Sequence, residues 1–317
     1  MNEFDIIQQF FNRQPASMPG VILGIGDDCA LVQVPADQIL ALTIDTLVAG
    51  VHFFESAAPA DIGYKALAVS LSDLAAMGAT PAWATLALTL PQNDKSWLAE
   101  FTNGFFTLAD QYHTALIGGN ITRGPLTITV QAHGLLPAGH AVTRQQAKPG
   151  DLIYVTNTLG DAGLALYALQ HPELNISGLT PCLQRLHRPT PRIAEGIALR
   201  SFASAMIDLS DGLAGDLQHL IDQSQVGAVV NIEQLPLSAS LLQAVPLDIA
   251  YHLALTAGDD YELCFTVPAA LQTLVEQTLC SPLVNARCIG EINDSGKLAW
   301  QLNGRPYEGA LAAYQHF

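Results

Sequence analysis

The chain has 317 residues, 50% of them hydrophobic and only 13% charged, with 29 Asp and Glu against 13 Lys and Arg and a formal charge of −16. That length supports two globular domains of roughly 150 residues each, both with sizeable cores. The acidity excludes a nucleic-acid surface, which needs clustered cations, and the four lysines (Lys65, Lys95, Lys148, Lys297) are scattered.

The N-terminus, Met1-Asn2-Glu3-Phe4-Asp5, is acidic where a secretion signal is basic, and no apolar run approaches the ~18 residues that a membrane span needs. Cys29, Cys182, Cys264, Cys280 and Cys288 form no C-x-x-C pair and sit mostly in apolar runs, the pattern of reduced, buried thiols. The expectation is a cytoplasmic protein with no membrane partner. Ile6, Ile7, Phe10 and Phe11 follow helical spacing and predict a short amphipathic helix before a loop at residues 15–20. Residues 39–46 read as a strand that delivers Asp45 at its end. Residues 60–78 read as a helix, with Asp61 near the N-cap, Gly78 as the stop, and Leu67, Leu71, Leu74 and Met77 as the apolar face.

A strand follows at 83–90, a helix at 93–112, a short buried strand at 115–117 and a longer one at 126–136. The turn Ala147-Lys148-Pro149-Gly150-Asp151 breaks the pattern, so the expected domains are 1–147 and 148–317. The second half again mixes strands (152–156, 228–232, 262–267, 286–292) with helices (161–170, 211–223, 269–279). The class is α/β or α+β. A weak echo, Leu71-Ser72-Asp73 with Leu209-Ser210-Asp211 and Gly26-Asp27-Asp28 with Gly258-Asp259-Asp260, leaves an ancient duplication open.

Four segments place aspartates in or beside runs that read as core: Gly26-Asp27-Asp28, Thr43-Ile44-Asp45, Leu71-Ser72-Asp73 and Asp208-Leu209-Ser210-Asp211. Carboxylates rarely sit against buried elements without a compensating cation, and the chain has few cationic side chains. Oxygen-seeking divalent metal, Mg²⁺ foremost, is therefore the expected partner of several of them. Taken singly, Gly24–Asp28 also fits a turn, Asp45 an N-cap, and Ser210 or Asp211 a helix cap. Asp73 fits a structural role poorly, because Asp disfavours helix interiors. The strand-to-helix junction at Asp208–Asp211 points backbone N–H groups at an anion. Gly118-Gly119-Asn120 permits the close phosphate approach of a glycine-rich loop. Arg123 and Arg144 are phosphate candidates or surface arginines. The histidines have no zinc spacing, and no P-loop, protein-kinase signature or G-x-S-x-G elbow occurs.

Read together, Gly24-Ile-Gly-Asp-Asp-Cys-Ala30, Asp45-Thr-Leu-Val-Ala-Gly-Val-His-Phe53, Leu71-Ser-Asp-Leu-Ala-Ala-Met-Gly-Ala79, Asp208-Leu-Ser-Asp-Gly212, Asp260-Tyr-Glu-Leu-Cys-Phe265 and Tyr314-Gln-His-Phe317 closely resemble the thiamine-monophosphate kinase family, in order and over nearly the whole chain. The resemblance implies the two-domain fold of aminoimidazole ribonucleotide synthetase, with an N-terminal sheet that pairs with its copy in a homodimer. It implies ATP-dependent phosphorylation of thiamine monophosphate to thiamine diphosphate. It places Asp28, Thr43, Asp45, Asp73, Asp208 and Asp211 on metal positions, with Asp27, Ile44 and Asn120 beside them. Gly119, Asn120, Arg144 and Ser210 fall on nucleotide positions, and His52, Asp259 and Tyr314 on substrate positions.

Three departures from the family pattern stand out. Asn120 occupies a position where many members have Asp, and an amide oxygen replaces a charged ligand. Ile44 fills a slot often held by Thr, so only its backbone carbonyl could reach a metal. Asp259 replaces a commoner Glu. On these motifs the physics is that of several Mg²⁺ ions neutralising two phosphate-bearing substrates and aligning them in line. Two other readings stay open: another ATP-using enzyme of the superfamily, of the selenophosphate or aminoimidazole ribonucleotide synthetase type, and a non-catalytic Mg²⁺-nucleotide-binding dimer. Residues 1–20 lack the reactive Cys and Lys of the selenophosphate enzymes.

Overall fold

The computed structural model describes residues 2–13, 19–279, 285–309 and 311. They fall into two compact units: residues up to Leu74 with Ala79–Gly139, and Ala75–Gly78 with residues from His140 onward.

The first unit opens with α1 (Glu3–Ile6), capped by the Asn2 side chain and continued by a π-helical turn at Ile7–Phe11. A two-stranded ribbon of β1 (Val21–Leu23) and β2 (Leu31–Val32) follows. The main sheet contains β3 (Gln38–Val48), β4 (Thr80–Leu90), β5 (Ala115–Arg123) and β6 (Thr127–Pro137), in the order β3-β6-β4-β5. Its pairs are antiparallel except β4 with β5. Strict alternation of buried and half-buried positions along β6 gives the sheet one core face. Helices α2 (Pro59–Ala76) and α3 (Lys95–Gln111) supply much of that core. Leu67, Leu71 and Leu74 are fully or almost fully buried, as are Phe101 and Phe105, each worth about 1.5–3 kcal/mol. The Asp94 carboxylate caps α3 by accepting from the N–H groups of Ser96 and Trp97.

In the second unit one mixed sheet carries β7 (Asp151–Thr156), β8 (Ala205–Asp208), β9 (Gly227–Asn231), β10 (Leu263–Pro268), β11 (Ala286–Asn293), β12 (Leu298–Leu302) and β13 (Arg305–Pro306). The order is β13-β12-β9-β11-β7-β10-β8, and only β9 with β12 is parallel. The helices are α4 (Asp161–Gln170), α5 (Thr180–His187), α6 (Ile193–Leu199), α7 (Leu213–Ser224), α8 (Ala239–Ala244), α9 (Leu247–Thr256) and α10 (Gln272–Leu279). Ile153, Val155, Ile207, Leu217, Cys264 and Ile289 form the centre of one core cluster. The end of α2 packs here too. A Cβ on Gly196 would lie 2.1 Å from the Ala75 carbonyl oxygen, and Arg200 Nη1 donates to the Gly78 carbonyl at 3.0 Å.

Two expectations are corrected. Asp45 lies inside β3, three residues before its end, because pairing with β6 continues to Val48. Gly118-Gly119-Asn120 is not a loop: β5 runs on to Arg123, paired throughout with β4 across one irregularity.

Candidate active site

In the first unit, the connection between β1 and β2 and the middle of β5 face one cavity of about 960 Å³, at the upper end of the size range of small-molecule pockets. Asp27, Asp28 and Cys29 line it from the connection, Gly119 and Asn120 from β5, while Phe11 is among its apolar walls. Asp27 Oδ1 accepts from the Asp28 N–H at 2.8 Å. Gly119 is required by space: its φ is +155° and a Cβ would lie 1.9 Å from the Leu86 carbonyl oxygen. Cys29 is exposed, against the expectation of a buried thiol, because its segment is loop rather than core; Cys182 and Cys264 are buried, and Cys280 lies outside the described residues.

A second group of acids joins β3 to α2. The Thr43 hydroxyl donates to Asp73 Oδ2. Asp45 accepts from the Ser70 hydroxyl at 2.8 Å. Burial, with the charge of Asp73 adding to it, pushes the Asp45 carboxyl up to about 6, and the Ser70 hydrogen bond only partly offsets this. Ile44, between them in sequence, is 64% exposed. His52 follows β3, where its Nδ1 accepts from the Val48 N–H at 3.0 Å, which puts the proton of the neutral ring on Nε2.

The second unit gathers the remaining positions around two loops. Asp208, buried at the end of β8, pairs with Leu263 of β10, so the segments that follow β8 and precede β10 run side by side. The Asp259 N–H donates to the Ser210 carbonyl at 2.9 Å, and the Tyr261 N–H to the Leu209 carbonyl at 2.8 Å. Gly258 sits so close to Ser210 that a Cβ would be 2.1 Å from its carbonyl oxygen. Asp259 (φ +67°) and Tyr261 (φ +49°) are both left-handed, a conformation costing on the order of 1–3 kcal/mol for each such residue. The Asp211 N–H donates to Asp216 Oδ2 at 3.0 Å. Burial raises the Asp216 carboxyl to about 7, while the Asp211 N–H and the charge of Arg144 pull the other way.

The sequence reading missed the groups that hold these loops. Glu262, 1% exposed, accepts from Arg192 Nε and Nη2 at 2.6 Å each, from Arg185 Nη2 at 2.7 Å, from the Thr156 hydroxyl at 2.6 Å and from Asn157 Nδ2 at 3.0 Å. Arg185 Nη1 also reaches Asp161 Oδ2 at 3.4 Å. Asp260, 4% exposed, accepts from the Gly160 N–H at 3.0 Å on both oxygens, and burial raises it well above the carboxylate range. An acid at the edge of an apolar strand, the signal that flagged Asp208 at the end of β8, was also present at Glu262, just before β10.

The structure thus brings Asp27, Asp28, Gly119 and Asn120 to one cavity, Thr43, Asp45 and Asp73 to one cluster, and Asp208, Ser210, Asp211 and Asp259 to one pair of loops, while the charge of Arg144 is felt at Asp216, the acceptor of the Asp211 N–H. Tyr314 lies outside the described residues. Among the described residues no group of three or more His, Cys, Asp or Glu side chains is arranged to hold a metal ion. The donor chemistry at Thr43, Asp45 and Asp73 nevertheless fits a hard divalent cation: the atoms are all oxygen, and a cation there would relieve the repulsion that raises Asp45. No described helix is long and apolar enough to cross a membrane.

Residues 26–136 match the family model of the AIR synthase related protein N-terminal domain, and residues 148–303 that of its C-terminal domain. The thiamine-monophosphate kinase of Salmonella typhimurium is 48% identical across 99% of this chain and 98% of its own length. The chain belongs to the thiamine-monophosphate kinase family. Within that family, the crystal structure from Stenotrophomonas maltophilia is 44% identical, with a TM-score of 0.85 over 96% of each chain. A structure of AaThiL complexed with AMPPCP and TMP is 32% identical, with a TM-score of 0.78 over 92% of each chain. The two-domain fold implied by the motifs is the fold of these family members.

Proposed function

We propose that the protein transfers the terminal phosphoryl group of ATP to the phosphate of thiamine monophosphate, giving thiamine diphosphate and ADP. The observation that carries this reading is the full-length likeness to thiamine-monophosphate kinases, one of which holds AMPPCP, an ATP analogue, together with TMP. The transfer is direct and in line, with no phosphoenzyme.

Asp27, Asp28, Thr43, Asp45, Asp73 and Asn120 in the first unit, with the Ile44 carbonyl, and Asp208 and Asp211 in the second, are the proposed Mg²⁺ ligands. Bound there, Mg²⁺ supplies charge neutralisation and alignment of the phosphates. The nucleotide lies against Gly119 and Asn120 of β5, and Arg144 and Ser210 contact the phosphates. His52, Asp259 and Tyr314 hold thiamine monophosphate; the acid suits a thiazolium cation and the ring a stacked pyrimidine.

Residues 1–147 act as the nucleotide, metal and dimerisation domain, and 148–317 as its companion. The homodimer forms through the first sheet: β3 is an edge strand with Leu40, Leu42 and Ile44 on one face at 38%, 57% and 64% exposure, a face that invites pairing with a second copy. The enzyme acts in the cytoplasm. The test is product formation from ATP and thiamine monophosphate with Mg²⁺ present or chelated; no thiamine diphosphate with both substrates and metal present would refute the reading.

A further inference from the structure

The motif Asp260-Tyr-Glu-Leu contains two residues, Tyr261 and Glu262, to which the proposed reaction gives no task. Their contacts supply one. Asp259 and Tyr261 are the left-handed residues of a four-residue segment, and a left-handed side chain holds its direction only when its surroundings fix it. Three fixtures act on this one. The N–H groups of Asp259 and Tyr261 are tied to the Ser210 and Leu209 carbonyls. Glu262, the next residue, is fastened by the bidentate fork of Arg192 and by Arg185. The buried Tyr261 ring turns its hydroxyl back onto Asp259, donating to Oδ1 at 3.2 Å.

We infer that Tyr261 is a positioning residue for thiamine monophosphate: its phenol fixes the Asp259 carboxylate, and the Glu262 clasp with Arg185 and Arg192 fixes the backbone that carries both. This rests on the reading of Asp259 as a substrate contact. The physical consequence is pre-organisation. A carboxylate already oriented loses less rotamer freedom when the substrate cation arrives, so the phenol contributes to affinity without touching the substrate.

Steady-state kinetics on Asp259→Asn, Tyr261→Phe and the double variant test this, with thiamine monophosphate and ATP varied separately. Tyr261→Phe removes one oxygen from a buried ring and should raise KM for thiamine monophosphate roughly three- to tenfold, the loss of one hydrogen bond, leaving KM for ATP in place. In the Asp259→Asn background the same substitution should have little further effect, because the amide oxygen can still accept from the phenol but the charge that the phenol orients toward the substrate cation is gone. A structural role would lower Tm and act equally in both backgrounds. Equal effects, or an unchanged KM in Tyr261→Phe while Asp259→Asn raises it, overturn the inference and leave Asp259 as a substrate contact. An unchanged KM in Asp259→Asn overturns that reading and the inference with it.

Discussion

The Ser70 hydroxyl, 2.8 Å from the Asp45 carboxylate and 3.2 Å from the Val130 carbonyl, shares its one proton between them and anchors one oxygen of an acid that burial and Asp73 push up to about 6. Below the ordinary carboxylate value both folded and unfolded chains hold the carboxyl proton. Between about 4 and 6 the folded chain holds more, so metal-free stability falls as pH rises through that window, then levels off. The loss amounts to at most about 3 kcal/mol, at about 1.4 kcal/mol per pH unit. Asp45→Asn should therefore raise Tm in EDTA at pH 7 and leave it unchanged near pH 3.5, while lowering turnover with Mg²⁺ by roughly 100-fold or more. Near-wild-type turnover would remove Asp45 from the metal shell.

ATP binding should collapse in EDTA. The proposed site offers little besides Arg144 and backbone amides to counter a triphosphate, and Arg144 is itself exposed. Calorimetry that finds equally tight ATP binding with and without divalent metal contradicts this.

Asn120→Asp should lower the Mg²⁺ concentration for half-maximal activity, because a carboxylate binds a hard cation more strongly than an amide oxygen. If Asn120 contacts nucleotide alone, the added charge raises the ATP requirement instead. Separate titrations of Mg²⁺ and ATP distinguish the outcomes, and an unchanged metal titration takes Asn120 out of the ligand set.

Gly258→Ala should cost stability, since the new Cβ would meet the Ser210 carbonyl oxygen at 2.1 Å and push apart the two loops. Overpacking of this kind costs roughly 1–3 kcal/mol, visible as a lower denaturation midpoint with an unchanged denaturant slope. A midpoint equal to wild type would mean the loops part without cost.

Glu262→Gln should be the more severe change. It leaves the Arg185 and Arg192 guanidiniums facing a neutral amide in a site 1% exposed at its centre, and breaking a buried pair costs about 3–5 kcal/mol. Thermal unfolding followed by circular dichroism measures it; a loss under about 1 kcal/mol would show that the arginines find other partners.

The long elements were legible in the chain because their periodicities are clean: β6 alternates along its whole length, and α2 carries Leu67, Leu71 and Leu74 at helical spacing. Helices α5, α6, α8 and α9 were not. They span six to ten residues amid Pro181, Pro189, Pro191, Pro236 and Pro246, and helices this short owe their stability to burial rather than propensity. The acids of the candidate site could be read because carboxylates beside apolar runs demand an explanation. Arg185 and Arg192 could not, because each looks like a surface cation until a fold brings it to an acid 77 or 70 residues away.

The last turn of α2 leaves its own unit for the other: Ala75–Gly78 is held by Gly196 and Arg200. During synthesis that turn leaves the ribosome well before its partners do. At typical elongation rates the wait is on the order of ten seconds, long compared with helix formation. Over that interval the body of α2 must be secured by its buried residues in the first unit, Ile62, Leu67, Val69, Leu71 and Leu74 among them, with its C-terminal turn ungripped. A ribosome stalled before residue 196 would thus display a first unit whose proposed metal cluster is complete in sequence but whose helix, carrying Asp73, lacks its far anchor.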